Sequence, residues 1–156
     1  MAQIDFDEIE EELDVAVPNI YRMFIDAVNA KGYDLSRFGI YNDTEAVLKG
    51  NWQLRMHMFD STPKWKNTYF HFGVGDGCGN YFFLDGIDEE NDHVQLWAHD
   101  PPGIEDVGSG TKFFSTLLAE IEAGFNGPDK YRFQGTGSSS APDRQSSKTS
   151  RTRRST

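Results

Sequence analysis

The apolar residues of this chain change period twice, and that change restricts the fold more than any other feature. In the first fifty residues they recur at helical spacing. Phe6, Ile9 and Leu13 lie on one face, with Asp and Glu filling the other. In VPNIYRMFIDAVNAKG, Pro18 stands where a first turn tolerates it, Tyr21, Phe24, Ile25 and Val28 form a stripe, and Gly32 offers a C-terminal stop. DTEAVLKG at 43–50 predicts a short helix started by Asp43 or Thr44 and stopped by Gly50.

From residue 53 the period drops to two. Leu54, Met56 and Met58 alternate with Arg55 and His57, Phe70, Phe72 and Val74 with Tyr69 and His71, and Val94, Leu96 and Ala98 with Gln95 and Trp97. YFFL at 81–84 is apolar on both faces, which places it inside a sheet rather than at its edge. Short connections predict an antiparallel meander. After PPG at 101–103 the helical period returns, with Thr111 as a cap and Phe114, Leu117, Leu118 and Ile121 as a stripe that would cover one sheet face. The expectation is an α+β fold, a mostly antiparallel sheet of four to six strands flanked by N-terminal and C-terminal helices, in one domain over residues 1–134.

HFGVGDGCGNYFFLDG at 71–86 invites a phosphate-cradle reading. A dinucleotide fingerprint needs its third glycine where Cys78 or Asn80 stands, a P-loop needs a terminal Lys, and both need a helix where this sequence has a strand. The glycines are therefore read as a tight, bulged hairpin.

Charge divides the chain. Residues 1–139 carry 10 Lys and Arg against 24 Asp and Glu, whereas 140–156 carry 5 against 1. The body, at net −14, repels nucleic acid and anionic membrane and attracts basic proteins. Residues 135–156, rich in Ser and Thr and basic, have too little apolar surface to offset ordering entropy and are read as a disordered tail that can contact phosphates weakly or fold back on the body. The acidic start and the lack of a membrane-length apolar run predict a cytoplasmic protein. The single Cys78 fits a reducing compartment.

No residue pattern commits the chain to an enzyme, a metal or a cofactor. Asp88, Glu89, Glu90 and Asp92 resemble a calcium loop, but His93 and His99 stand where Gly and Glu are required. They read instead as a solvated loop or as part of a face for a basic partner. Of four histidines, only His93 and His99, six apart on one strand face, offer a metal pair. Cys78 has no basic neighbour in sequence to activate it.

Taken in order, V-P-x-x-Y-R-x-F, the Gly-Asn-Tyr-Phe-x-Leu-Asp hairpin, V-x-x-W-x-H-D and a closing F-x-x-x-L helix resemble the SUKH superfamily, the Smi/Knr-like group, over residues 5–123. Pro18, Tyr21 and Phe24 match its first motif, Gly79, Asn80, Tyr81, Leu84 and Asp85 its central hairpin, and Trp97, His99 and Asp100 its third. Val17 and the 30–32 turn depart from the pattern, and 51–67 does not align. The resemblance implies an α+β domain without catalytic residues or cofactor, which binds a protein partner. For the bacterial members that partner is a toxin, frequently a nuclease; for eukaryotic members the role is regulatory or scaffolding. Asp88, Glu89, Glu90 and Asp92 are the expected partner-binding residues, facing a basic toxin domain. An enzyme depending on His99 or Cys78 is the remaining alternative.

Overall fold

Ile9 and Leu13, one turn apart, are the residues that α1 (Phe6–Leu13) buries, and Asp5 caps it by accepting from the Glu8 N–H. Pro18 precedes α2 (Asn19–Lys31), which ends as expected at Gly32, φ 71°, where the Gly32 and Tyr33 N–H groups close on the last carbonyls. A single 3₁₀ turn (Leu35–Phe38) leads to α3 (Thr44–Met58), whose start is capped by Asp43 accepting from the Ala46 N–H. The strands β1 (Tyr69–Gly75), β2 (Tyr81–Asp85), β3 (His93–His99) and β4 (Pro102–Ser109) follow, and α4 (Gly110–Asn126) is the last described element. The computed structural model describes residues 2–58, 60–75 and 78–126; the tail expected over 135–156 lies outside the described residues.

The four strands form one antiparallel sheet in the order β1-β2-β3-β4, so the fold is α+β with helices on both sides of the sheet in sequence. YFFL is interior, as its two apolar faces require. Phe70, Phe72, Phe82, Leu84 and Val94 point to one face, where Tyr21 and Phe24 of α2 and Phe114 of α4 complete the main core. Tyr69, Phe83 and Trp97 point to the other, where Leu54 of α3 and Trp65 form a smaller aromatic core. Tyr69 and Phe83 stack across the strands at 4.1 Å.

Two expectations are corrected. The alternation at 54–58 is not a strand: α3 runs through Gly50 to Met58. Val47, Asn51, Leu54 and Arg55 are its buried residues, a helical stripe hidden by one amide and one guanidinium, while Met56 and His57 face solvent. Gly50 is no stop either, since it lets the Tyr41 ring lie where a Cβ would collide with it. The second correction is β4, a strand over Pro102–Ser109 where the sequence predicts none between PPG and the helix capped by Thr111. As an edge strand it carries only Ile104 and Val107 as large apolar residues, with Glu105 and Asp106 exposed, so its sequence lacks alternation. The cap of α4 is then Ser109, whose hydroxyl accepts from the Lys112 N–H, with Thr111 inside the helix.

Candidate functional site

The acidic loop between β2 and β3 is built where two helices begin. Gly86 passes so close to the chain around Val15 and Ala16 that a Cβ would lie 2.9 Å from the Val15 side chain; its N–H donates to the Thr68 carbonyl and its carbonyl accepts from the Ala16 N–H. Asp88 then makes a turn, its carboxylate accepting from the Glu90 N–H at 2.9 Å and its carbonyl from the Asn91 N–H at 3.1 Å. Asn91 ties the turn to β2 by donating to the Asp85 carbonyl.

Both helix starts use this loop. At α2, the Asn19 N–H donates to the Glu89 carbonyl at 2.8 Å and its side-chain amide to the Glu90 carboxylate at 3.1 Å. At α4, the Asp92 carbonyl accepts from the Gly110 N–H and its carboxylate from the Thr111 N–H at 3.2 Å. These are the orphan donors of helix starts, and negative charge there is favoured by the peptide dipoles. Of the four predicted partner residues, Asp92 is half-buried and occupied with α4, whereas Asp88, Glu89 and Glu90 are exposed.

The residues of the family-like motifs separate into two places. Pro18, Tyr21, Phe24, Leu84 and Trp97 are core. Burial raises the pKa of the Tyr21 phenol, which has no hydrogen-bond partner among the described residues. The Trp97 indole N–H donates to the Pro63 carbonyl at 2.9 Å, and Tyr81 lies beside Trp97 on the smaller core. Asp85 ends β2, half-buried.

The second place is the far end of the sheet. Gly79 has φ 86°, and a Cβ there would sit 3.1 Å from the His99 ring. Asn80 accepts through its side-chain oxygen from both the backbone N–H and the Nδ1 of His99, each at 3.1 Å. Asp100 follows, exposed. In an antiparallel meander the β1–β2 and β3–β4 turns share one end and the β2–β3 loop has the other, so this cluster and the acidic loop are separated by the length of the strands, about 17 Å for β2. The same geometry parts His93 from His99 at opposite ends of β3, about 20 Å. His93 instead faces Asp106 of β4 at 3.5 Å.

The described residues form a broad and a smaller depression on the surface. The broad one, of about 610 Å³, is lined by Gln3, Asp5, Phe6 and Arg22, but Arg22 is paired with Glu10 at 2.9 Å and lies over the Phe6 ring. The smaller, apolar one of about 170 Å³ lies between α2 and α4. Periodicity could not find it, because it depends on how two helices pack. Among the described residues no cluster of His, Cys, Asp and Glu can hold a metal ion, and no helix is long and apolar enough to cross a membrane.

The model of the SMI1 / KNR4 family (SUKH-1) matches residues 2–117, and the chain belongs to that family. No curated protein and no solved structure matches the chain.

Proposed function

We propose that this SUKH-1 domain is a non-catalytic binding module that neutralises a cognate toxin, a basic nuclease domain, by occupying its surface. Its family includes immunity proteins. The observation that carries the reading is the turn of Asp88, Glu89 and Glu90, exposed yet tied to the start of α2, on a body whose first 139 residues have net charge −14. Such a surface steers a basic partner into encounter and disfavours anionic ones. Asp92 contributes by fixing the loop. Titration of the chain with the toxin encoded beside it, at low and high salt, tests this. A complex that weakens with salt is expected; no complex at low salt overturns the proposal.

A second reading is a regulatory or scaffolding domain without a toxin partner, favoured by the net +4 of residues 140–156. Deleting 135–156 separates the two: toxin binding survives the deletion, whereas tail-dependent recruitment is lost.

A further inference from the structure

The groove between α2 and α4 has the build of an anchor for one large apolar side chain. Its floor is Phe24 and Phe114, whose rings meet at 4.9 Å, and its walls include Ile20, Met23 and Leu118. Met23 is 64% exposed, the largest apolar residue on this face that the core does not claim. An open apolar slot of this kind is a place where a partner can remove hydrophobic surface from water, and a flexible thioether on its wall adapts to what enters.

The groove is not electrically neutral along its length. Asn19, one residue before Ile20, holds Glu89 and Glu90 at the mouth formed by the two helix starts. At the far end Glu122, one turn beyond Leu118 on α4, is engaged by Lys31 at 3.4 Å and by the Tyr33 hydroxyl at 3.0 Å. Glu89 and Glu90 at the first mouth are thus exposed and able to meet a newcomer, joined along α2 by exposed Asp26, whereas Glu122 is already engaged.

Resting on the proposed toxin-binding role, we infer that the groove seats a partner segment carrying one large apolar side chain, Leu, Ile, Met or Phe, with Lys or Arg within a turn of it. The apolar group fills the slot and the cation meets Glu89 and Glu90. A second copy of this chain is a poor occupant because it brings its own acidic mouth against this one, and nucleic acid or an anionic membrane has the wrong sign of charge. The apolar anchor supplies affinity; the acidic mouth supplies direction and selectivity.

The test uses the full chain and a capped, amphipathic peptide of about fifteen residues with Leu at helical spacing and Lys beside it. Expected are chemical-shift changes at Met23, Ala27 and Ser115, affinity reduced about tenfold by Met23→Asp and severalfold by Glu89→Lys with Glu90→Lys, and loss when the peptide's Leu are replaced by Ser. Met23→Asp is solvent-facing; Ser115→Lys, on the opposite rim, provides a second block, with unfolding curves confirming that both variants fold. Shifts confined to the acidic face of α1, wild-type affinity in both variants, or a dimer abolished by Met23→Asp overturns the inference. A toxin that binds wild type and Met23→Asp equally removes the groove and leaves the toxin-binding role intact. A toxin that does not bind, beside a peptide that does, removes that role and leaves the groove.

Discussion

The side chain of Asn51 is bonded to both backbone groups of His71: its oxygen accepts from the His71 N–H and its amide donates to the His71 carbonyl, each at 2.8 Å. β1 is an edge strand, paired on one side with β2 through His71 opposite Phe83. On the open side, α3 offers an amide with the same donor and acceptor as a missing neighbour's backbone. Both residues are buried, so these groups have no recourse to water.

Asn51→Ala accordingly leaves two buried backbone groups unpaired. At about 1–3 kcal/mol each, the expected loss is roughly 2–6 kcal/mol, read as a shift in urea midpoint at unchanged m value. A variant within 0.5 kcal/mol of wild type, well under what one unpaired buried group costs (about 1 kcal/mol), would show that the edge is closed in some other way.

The His71 ring adds a pH dependence. Its Nδ1 lies 2.7 Å from the Phe82 carbonyl, which can only accept, so Nδ1 carries a proton, and burial keeps the ring neutral. Burial holds its pKa down at about 4, against 6.5 for an ordinary histidine. The unfolded chain therefore binds the extra proton first. Stability from this group is fully present above pH 6.5 and is lost as pH falls through that value toward 4, by a few kcal/mol at pH 4.5. Denaturant titrations at pH 7 and pH 4.5 should show that excess loss in wild type and not in His71→Gln. Equal losses in both would mean that the ring is charged or solvated in the native state.

Two glycines of the hairpin differ in what surrounds them. Gly73, φ 100°, would place a Cβ 2.7 Å from the backbone nitrogen of Tyr41, whereas Gly79, φ 86°, would meet only the ring of exposed His99 at 3.1 Å. A side chain can move aside and a backbone cannot. Both Ala variants carry left-handed strain of about 1–2 kcal/mol, but Gly73→Ala should be the more damaging. Adding His99→Ala should relieve part of the Gly79→Ala cost and none of the Gly73→Ala cost. Calorimetric midpoints that reverse this order would contradict the assignment. Gly79→Val should be destabilised further by its β-branch, with the loss read in unfolding.

The elements legible in the sequence are those whose burial follows one period: α1, α2, β1 to β3, and the stripe of α4. The start of α3 is legible too, but its second half reads as a strand because Asn51 and Arg55, polar by type, occupy its buried face. Arg55 sits there because its guanidinium donates to the Leu13 and Asn67 carbonyls, both at 2.6 Å, which joins the end of α1 to the chain before β1. No hydropathy pattern contains that partnership. β4 leaves no pattern for the opposite reason, since an exposed edge needs little apolar alternation. The acidic loop was visible as composition, but its division of labour depends on α2 and α4 starting side by side, a relation of tertiary structure.

That division separates stability from binding within four neighbouring acids. Asp92→Ala removes the carboxylate that accepts from Thr111 at the start of α4, an effect worth about 1 kcal/mol for a helix cap. Glu89 contributes its backbone carbonyl to α2, so Glu89→Lys keeps that bond and should leave stability within about 0.5 kcal/mol, as for surface substitutions generally. Binding should show the reverse order. Against a basic toxin, Glu89→Lys should slow association severalfold at low salt, with the difference closing as salt rises, because it acts through steering. Asp92→Ala should change association less than Glu89→Lys does, once both proteins are measured at a temperature where they are fully folded. Stopped-flow association rates beside thermal unfolding curves give both rankings. If Asp92→Ala is the slower binder while equally folded, the Asp92 carboxylate itself meets the partner, and the loop is not divided between support and contact.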